Sequence, residues 1–520
     1  MYDFVVVGGG TAGCVLASRL SEDPSVTVCL VEAGPADNHD NFRIPVAGGK
    51  FFKTRFDWDY DSHPERFCDG RRVYLPQARV LGGGSSVNGM VYIRGNRADY
   101  DEWQQPGWSY DELLPFFKRS EDNERGADEF HGVGGPMRVS DGRAHSPSAT
   151  AFTQAALDAG YPANPDFNGA VQEGFGEYQV TQRDGRRASA VTEFLHPARH
   201  RPNLVVETNL QVQRIMIENG RATGVVGTRF DDLVELRAER EVIVSAGTYN
   251  SPQLLMLSGI GPADLLRAFE LPVFVDQPQV GQNLQDHPHI WLSYRHDLPV
   301  SLLAAAESER VHQYERDRTG MLASNGPESG GFVRTSAALA GPDLQFICLP
   351  MMVADTFLSP PTGHGVSFGA SVMRPVSSGH VTLFSGEPTA KPKIVQNYLA
   401  DPADLQAAVS GLRISLELSR QAALKPYAVE PSAAPSSDTE TDLRAYARSH
   451  VQTGLHPVGT CSMGRVVDAE LRVFGVDGLR VVDASVIPLI IRGNTNAPVM
   501  AVAERAADLV RGAQSAPGAR

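Results

Sequence analysis

"DFVVVGGGTAGCVLASRL", residues 3–20, governs how the rest of the chain is read. It opens with a short β-branched apolar run, Phe4 to Val7. Such a run, bounded by glycine, is expected for a strand buried on both faces of a parallel sheet. Gly8, Gly10 and Gly13 follow with G-x-G-x-x-G spacing, and Cys14, Val15, Leu16, Ala17 and Leu20 read as a helix packed on that sheet. The second strand is "VTVCLVEAG", 26–34, which runs to Glu32 and Ala33. Gly8 suits a tight turn, Gly10 allows backbone to approach a pyrophosphate, and Gly13 allows helix to pack closely on strand. Thr11 and Ala12 then sit in the first turn of a helix whose N-terminus faces the phosphate charge. Glu32 is placed to accept from ribose hydroxyls. An acid there favours an unphosphorylated ribose, hence FAD or NAD rather than NADP.

The chain has 520 residues, which points to more than one domain. A net charge of −14 argues against nucleic acid and anionic membrane surfaces as partners. No apolar run reaches the roughly 18–20 residues of a membrane span. "MYDFVVVGGG" lacks the basic start and cleavage site of a secretion signal. Cys14, Cys29, Cys68, Cys348 and Cys461 are few, odd in number and scattered, so a reducing cytoplasm is expected. A peripheral position at an inner membrane remains compatible with that reading. "DHPH", 286–289, has too few ligands for a metal site and reads as a loop, so no metal is expected.

Two further glycine-rich blocks imply close approach to a ligand. "ARVLGGGSSVNGMVYIRG", 78–95, holds three consecutive glycines and two serines between apolar flanks. "SAGTYNSPQLLMLSGIG", 245–261, reads as strand end, turn and a helix from Ser251, with Pro252 in its first turn. Near the C-terminus come "GLHPVGTCSMG", 454–464, and "RGNTNAPVM", 492–500. Together with "NLQDH", 283–287, these blocks resemble, in kind and in order, the glucose–methanol–choline (GMC) oxidoreductases. Within that family the chain looks most similar to choline-dehydrogenase-like and aliphatic alcohol dehydrogenase members.

The resemblance covers essentially the whole chain. It implies an α/β, two-domain (α+β) architecture: a Rossmann-like FAD-binding domain and a substrate-binding domain on a large, mostly antiparallel sheet. The FAD-binding parts are expected at 1–150, 200–295 and 455–520, and the substrate domain at 151–199 and 296–454. FAD contacts are implied for Gly8, Gly10, Thr11, Ala12, Gly13, Glu32 and Ala33. In the second block they are implied for Arg79, Gly83, Gly84, Ser86, Asn88, Gly89, Met90 and Val91. Val212, Ala246, Gly247, Asp483, Ala484 and Ala497 complete the set. Some members attach FAD through a histidine where this chain has Val87, so noncovalent FAD is expected. Gly89 should leave space near the flavin N5.

The same resemblance makes His456, and Asn496 about forty residues on, the residues that flank the reacting carbon. The residue types suit the chemistry. An imidazole can take a hydroxyl proton near neutral pH. Asn496 cannot be a base, but its amide can donate to an alkoxide-like oxygen. The implied reaction is oxidation of a primary aliphatic or aryl alcohol to the aldehyde by hydride transfer to flavin N5. Choline, a polyol or sugar, and a non-redox lyase or decarboxylase on the same fold are the alternatives. Choline would want an aromatic cage or a carboxylate. Partners are the alcohol and an electron acceptor, which is oxygen, a quinone or a carrier, and the chain is read as a monomer or homodimer.

Smaller readings complete the pass. "DLQFICLPMMV" and "GVSFGASVMRPV" are apolar strands of the roof, with Phe346, Met351 and Met352 lining it. "ESERVHQYERDRTG", 307–320, is a charged, solvated helix. "YAVEPSAAPSSDTETD", 427–442, is a surface loop before a helix that ends near His450.

Overall fold

The computed structural model describes residues 1–353 and 358–512; the end of the last expected block, 513–520, lies outside them. Two seven-stranded sheets organise the chain. The first has strand Tyr2–Val7 near its centre, between Val28–Val31 and Asp232–Val244, both parallel to it. Leu204–Glu207 extends the sheet on one side and Leu479–Val481 pairs, also in parallel, with Asp232–Val244. The run Leu210–Glu218, Arg221–Arg229 and Asp232–Val244 is an antiparallel meander. Phe4 to Val7 and Val28 to Val31 are fully buried, as two-sided burial requires of unbroken apolar strands.

Helix Thr11–Leu20 leaves Tyr2–Val7 through the glycine turn and packs against the last helix, Asn496–Arg511. Arg19 clamps this pair. Its guanidinium reaches the wholly buried Glu504 at 2.8 to 3.1 Å, and Arg119 meets the same carboxylate at 2.8 Å. Two arginines compensate the buried charge that one partner alone would leave costly.

The second sheet is antiparallel throughout. Its order is Glu430–Ala433, Pro288–Arg295, Gly365–Val372, Leu344–Leu349, Ser329–Val333 and Gly174–Glu177, with Gln452–Thr453 also on Pro288–Arg295. Helix Pro402–Ser419 covers one face. Two expectations change here. Pro288–Arg295 lies inside the stretch 200–295 given to the FAD-binding part, yet it is a strand of this second sheet. Glu430–Ala433, read as loop, is its edge strand, where Pro431 is tolerated because an edge position needs no second ladder bond.

The other local readings match the described elements: a charged helix at Ser308–Asp317, a helix at Asn250–Leu257 and one at Glu440–His450. All five cysteines are buried and free of disulfides. Among the described residues no helix is long and apolar enough to cross a membrane. Nor does any group of three or more His, Cys, Asp or Glu among them form a metal-holding cluster.

Candidate active site

A cavity of about 1180 Å³ is bordered by the glycine turn and Glu32 from the first sheet, by His289 and Trp291 from the second, and by the two C-terminal loops. At its first-sheet end, backbone replaces side chains. Gly8 has φ +106°, and a Cβ there would lie 2.3 Å from the Ser245 carbonyl oxygen. A Cβ on Gly83 would lie 2.7 Å from Gly10 Cα, so the first two glycine blocks meet backbone to backbone. The amide ends of helix Thr11–Leu20 are thereby left open to an anion.

Glu32 accepts from the Gly9 N–H at 2.8 Å and the Gly34 N–H at 2.6 Å, and borders the cavity. Burial pushes its carboxyl up to about 7, against those N–H groups and Arg79, which favour the anion. Each oxygen keeps a lone pair for a ribose hydroxyl. Two buried polar atoms on residues of this wall, Arg79 Nε and Ser245 Oγ, have no hydrogen-bond partner among the described residues. A glycine cradle, an acid and two unengaged polar groups fit a dinucleotide cofactor.

Most of the residues expected at FAD border the cavity, including Val212, Ala246, Gly247, Asp483, Ala484 and the run Asn88 to Val91. A Cβ on Gly89 would sit 2.9 Å from Pro327 Cγ, so that bend has room only for glycine. Three do not border it. Gly13 packs on the turn itself, where a Cβ would lie 1.9 Å from the Gly8 oxygen. The Ser86 hydroxyl is turned inward and donates to Leu81 O at 3.0 Å. Ala497 is 2% exposed and belongs to the core under the first sheet.

The C-terminal loops bring a different pair together from the one expected. Asn496 opens the last helix, and its Oδ1 accepts from the Thr11 hydroxyl at 2.9 Å. It borders the cavity but ties the last helix to the glycine-turn helix. The residue at His456 is Asn494, with its Nδ2 3.0 Å from His456 Nε2. Residues 494 and 496 share one turn: Asn496 turns its Oδ1 to Thr11, and Asn494 is the one that reaches His456.

His456 is held on its other side by Asp286 and His287, which the sequence offered only as the end of the N-L-Q-D-H block, with no role assigned. Its Nδ1 lies 2.9 Å from Nδ1 of His287, whose Nε2 lies 3.0 Å from the Ile491 carbonyl oxygen. A carbonyl can only accept, so the His287 proton sits on Nε2 and its Nδ1 is an acceptor. His456 must then carry its proton on Nδ1, which leaves the Nε2 lone pair facing Asn494 and the cavity. Burial, and next the neighbouring His456, drive the His287 imidazolium well below its ordinary range, so His287 is neutral. Burial likewise holds His456 down to about 4. Its loop is anchored by Asp286, which accepts from the His456 N–H at 2.9 Å, the His287 N–H at 2.8 Å, and the Tyr398 and Thr453 hydroxyls at 2.5 Å.

A second relay orients Asn494. Tyr178 donates its hydroxyl to Phe346 O at 2.6 Å, so its oxygen accepts from Gln345 Nε2 at 3.3 Å. Gln345 Nε2 also donates to Asn494 Oδ1 at 3.1 Å. Asn494 must therefore point its NH₂ at His456. Both relays end on backbone carbonyls, which admit one hydrogen-bond polarity. The site presents one lone pair and one amide donor side by side. That suits a hydroxyl, which must give a proton and have its oxygen held.

In the roof, Met351 and Met352 border the cavity, as do Ile347 and Leu349, but Phe346 does not. Strand alternation turns Phe346 to the opposite face, where it packs on Phe175 with centroids 5.5 Å apart.

Comparison with known proteins places this geometry. The N-terminal and C-terminal GMC oxidoreductase family models match residues 2–289 and 375–503. The mitochondrial choline dehydrogenase of Mus musculus is 40% identical over 535 aligned residues, covering 98% of this chain and 89% of its own. The oxygen-dependent choline dehydrogenase of Pseudomonas fluorescens (strain SBW25) is also 40% identical, covering 99% and 94%. Among solved structures, pyridoxine 4-oxidase from Mesorbium loti superposes with a TM-score of 0.88 at 31% identity, covering 98% of each chain. Family models and relatives thus agree with the glycine cradle and the paired loops: the chain belongs to the GMC oxidoreductases, FAD-binding enzymes that act on CH–OH donors.

Proposed function

We propose that the protein oxidises a primary aliphatic or aryl alcohol to its aldehyde, with His456 as the base and Asn494 as the group that holds the substrate oxygen. The observation that carries this reading is the His456 Nε2 lone pair, fixed through His287 and placed 3.0 Å from an amide donor on the cavity wall. An alcohol oxygen bound about 3 Å from both atoms takes the place of their mutual hydrogen bond: its hydroxyl donates to the His456 Nε2 lone pair and its oxygen accepts from the Asn494 N–H. His456 Nε2 takes the hydroxyl proton while the Asn494 N–H stabilises the negative charge growing on oxygen. FAD, when bound, supplies the hydride acceptor for the carbinol carbon. Residues of the glycine cradle, Glu32, Arg79 and Ser245 would hold it, and with Val87 at the position of the attaching histidine the hold is noncovalent.

Burial keeps His456 neutral before reaction, so the base is available without prior deprotonation. The imidazolium that forms keeps its Nδ1–H on His287, which limits the cost of burying the new charge. The choline dehydrogenases among the relatives favour a second reading, choline itself, on the same base and amide. Oxygen, a quinone and a carrier protein are the candidate acceptors, and reoxidation rates with each in turn assign the role.

The test is anaerobic stopped-flow reduction of the bound flavin by a panel of alcohols, in wild type and His456→Ala. The wild type should bleach with at least one alcohol. The variant should keep its FAD and slow by about a hundred- to ten-thousand-fold. Bleaching at the wild-type rate in the variant across the pH range would remove His456 from the reaction. No bleaching by any alcohol would return the fold to the lyase reading.

A further inference from the structure

The roof contains a polar group that no part of this mechanism uses. His289 lies on strand Pro288–Arg295, paired with Ser371 on one side and Gln452 on the other. Alternation along the strand puts His289 and Trp291 on the cavity side and sends Ile290 and Leu292 into the core. His289 is 2% exposed. Its Nδ1 is held by the Ser371 hydroxyl at 2.6 Å, and its ring packs on Trp291 with centroids 4.0 Å apart. Among the described residues its Nε2 has no hydrogen-bond partner. A buried ring nitrogen left unpaired is costly, and its residue borders the cavity that His456 also lines.

Resting on the alcohol-oxidation reading above, we propose that His289 is a substrate-recognition residue whose Nε2 binds a second, uncharged oxygen of the alcohol: a hydroxyl, ether or carbonyl. Ser371 can give or take a proton at Nδ1, so Nε2 can serve as acceptor or donor and each of those groups finds a match. Burial, and next the neighbouring His456, pushes the His289 imidazolium down to about 3, so the ring offers no cation for a substrate carboxylate or phosphate. Nor does the described wall offer a free anion. Its carboxylates are Glu32, Asp57 and Asp483. Glu32 is engaged by two backbone N–H groups. Asp57 is engaged by Tyr74 and the Gln77 N–H, and Asp483 by Ser251 and the Gly247 N–H. Among the described residues a quaternary ammonium would meet aromatic rings of the wall, Trp291, Trp58 and Tyr60 among them, but no free carboxylate. The substrate class that follows is a neutral, oxygen-bearing primary alcohol, which sets this chain apart from the activity named for its choline dehydrogenase relatives.

The experiment compares rates of anaerobic flavin reduction at low substrate concentration. Pentan-1-ol is set against isosteres that carry oxygen at successive positions: 2-ethoxyethanol, 3-methoxypropan-1-ol and butane-1,4-diol. Choline is set against its uncharged isostere, 3,3-dimethylbutan-1-ol. The wild type should favour at least one oxygenated isostere over pentan-1-ol by about ten- to a hundred-fold, because the all-carbon chain leaves Nε2 unpaired. It should not favour choline over 3,3-dimethylbutan-1-ol. His289→Phe should bring the oxygen preference close to one, and His289→Gln, which keeps a neutral amide, should retain part of it. Flavin absorbance after gel filtration reports that each variant is folded; if His289→Phe does not fold, the wild-type ratios and His289→Gln decide. A wild-type ratio of one at every oxygen position, a preference undiminished in His289→Phe, or a preference for choline would overturn the inference while leaving alcohol oxidation standing. Failure of every alcohol to bleach the flavin would remove the reading it rests on, and the inference with it.

Discussion

Replacing His287 by Phe should disable His456 as a base, although His287 itself is wholly buried and does not border the cavity. In the native protein the His456 Nδ1–H has an acceptor at 2.9 Å, and that acceptor exists because His287 gives its own proton to Ile491 O at 3.0 Å. Phe keeps the ring volume and removes both bonds. The tautomer with its proton on Nδ1 then has a buried donor without a partner, which costs about 1–3 kcal/mol. His456 relieves that cost by moving the proton to Nε2, giving up the Asn494 hydrogen bond, and there it can no longer accept from the alcohol. At about 1.4 kcal/mol per tenfold, the competent tautomer falls by roughly ten- to a hundredfold. A tautomer locked the wrong way in a serine protease triad costs about ten-thousandfold, which sets the upper bound. The assay is single-turnover flavin reduction, read as separate substrate affinity and limiting rate. The limiting rate should fall while FAD occupancy stays intact. His287→Gln is the control: its amide can donate to Ile491 O and accept from His456, so it should recover much of the loss. A His287→Phe enzyme that reduces its flavin at the native limiting rate would refute the relay. Equal losses in Phe and Gln would show a packing defect instead.

Asn494→Ala should slow flavin reduction by about a hundred- to a thousandfold, as loss of one donor to a developing oxyanion does. Asn496→Ala should mainly loosen the junction with Thr11, at about 1 kcal/mol of stability; the reverse ranking in stopped-flow rates would restore Asn496 to the substrate. Glu32→Ala should weaken FAD retention by about 1.5–3 kcal/mol in equilibrium dialysis. Acid precipitation of the wild type should release the flavin, and flavin left on the polypeptide would contradict noncovalent binding. The rate at low substrate concentration should fall only on the acid side, because protonation removes the base and burial has lowered the His456 pKa. Its midpoint belongs below the ordinary 6.5, toward about 4. A limb whose midpoint lies above 6.5 would contradict a desolvated base.

The glycine turn was legible because its chemistry is local. Phe4 to Val7, Gly8, Gly10, Gly13 and Glu32 state a strand, a turn, a helix start and an acid at the end of the next strand within about thirty residues, and the structure has that strand, turn and helix, with Glu32 on the cavity wall. His456 was legible through the motif around it. Its amide partner was not, because Asn494 and Asn496 occupy the same short turn with the same side chain. The choice between them depends on where the last helix begins and on Thr11, nearly five hundred residues upstream. Gln345 and Tyr178 carry no signal in isolation, and His287 only marks the end of the N-L-Q-D-H block. Each reads as an ordinary polar residue until strand pairing brings it to the site.

By itself the sequence determined the glycine turn and the family and singled out His456, since these rest on residue types at fixed short spacing. Tertiary structure alone decided the protonation pattern and the shape of the roof. The tautomer of His456 is set by a carbonyl at Ile491 reached through His287, and the flip of Asn494 by one at Phe346 reached through Tyr178 and Gln345. Register in the second sheet turns Ile347 to the cavity and Phe346 away, and sets His289 there opposite Ser371. A proton's position depends on which partner can only accept, and a strand's outward face depends on its register. Both are long-range relations, which folding creates and spacing along the chain does not contain.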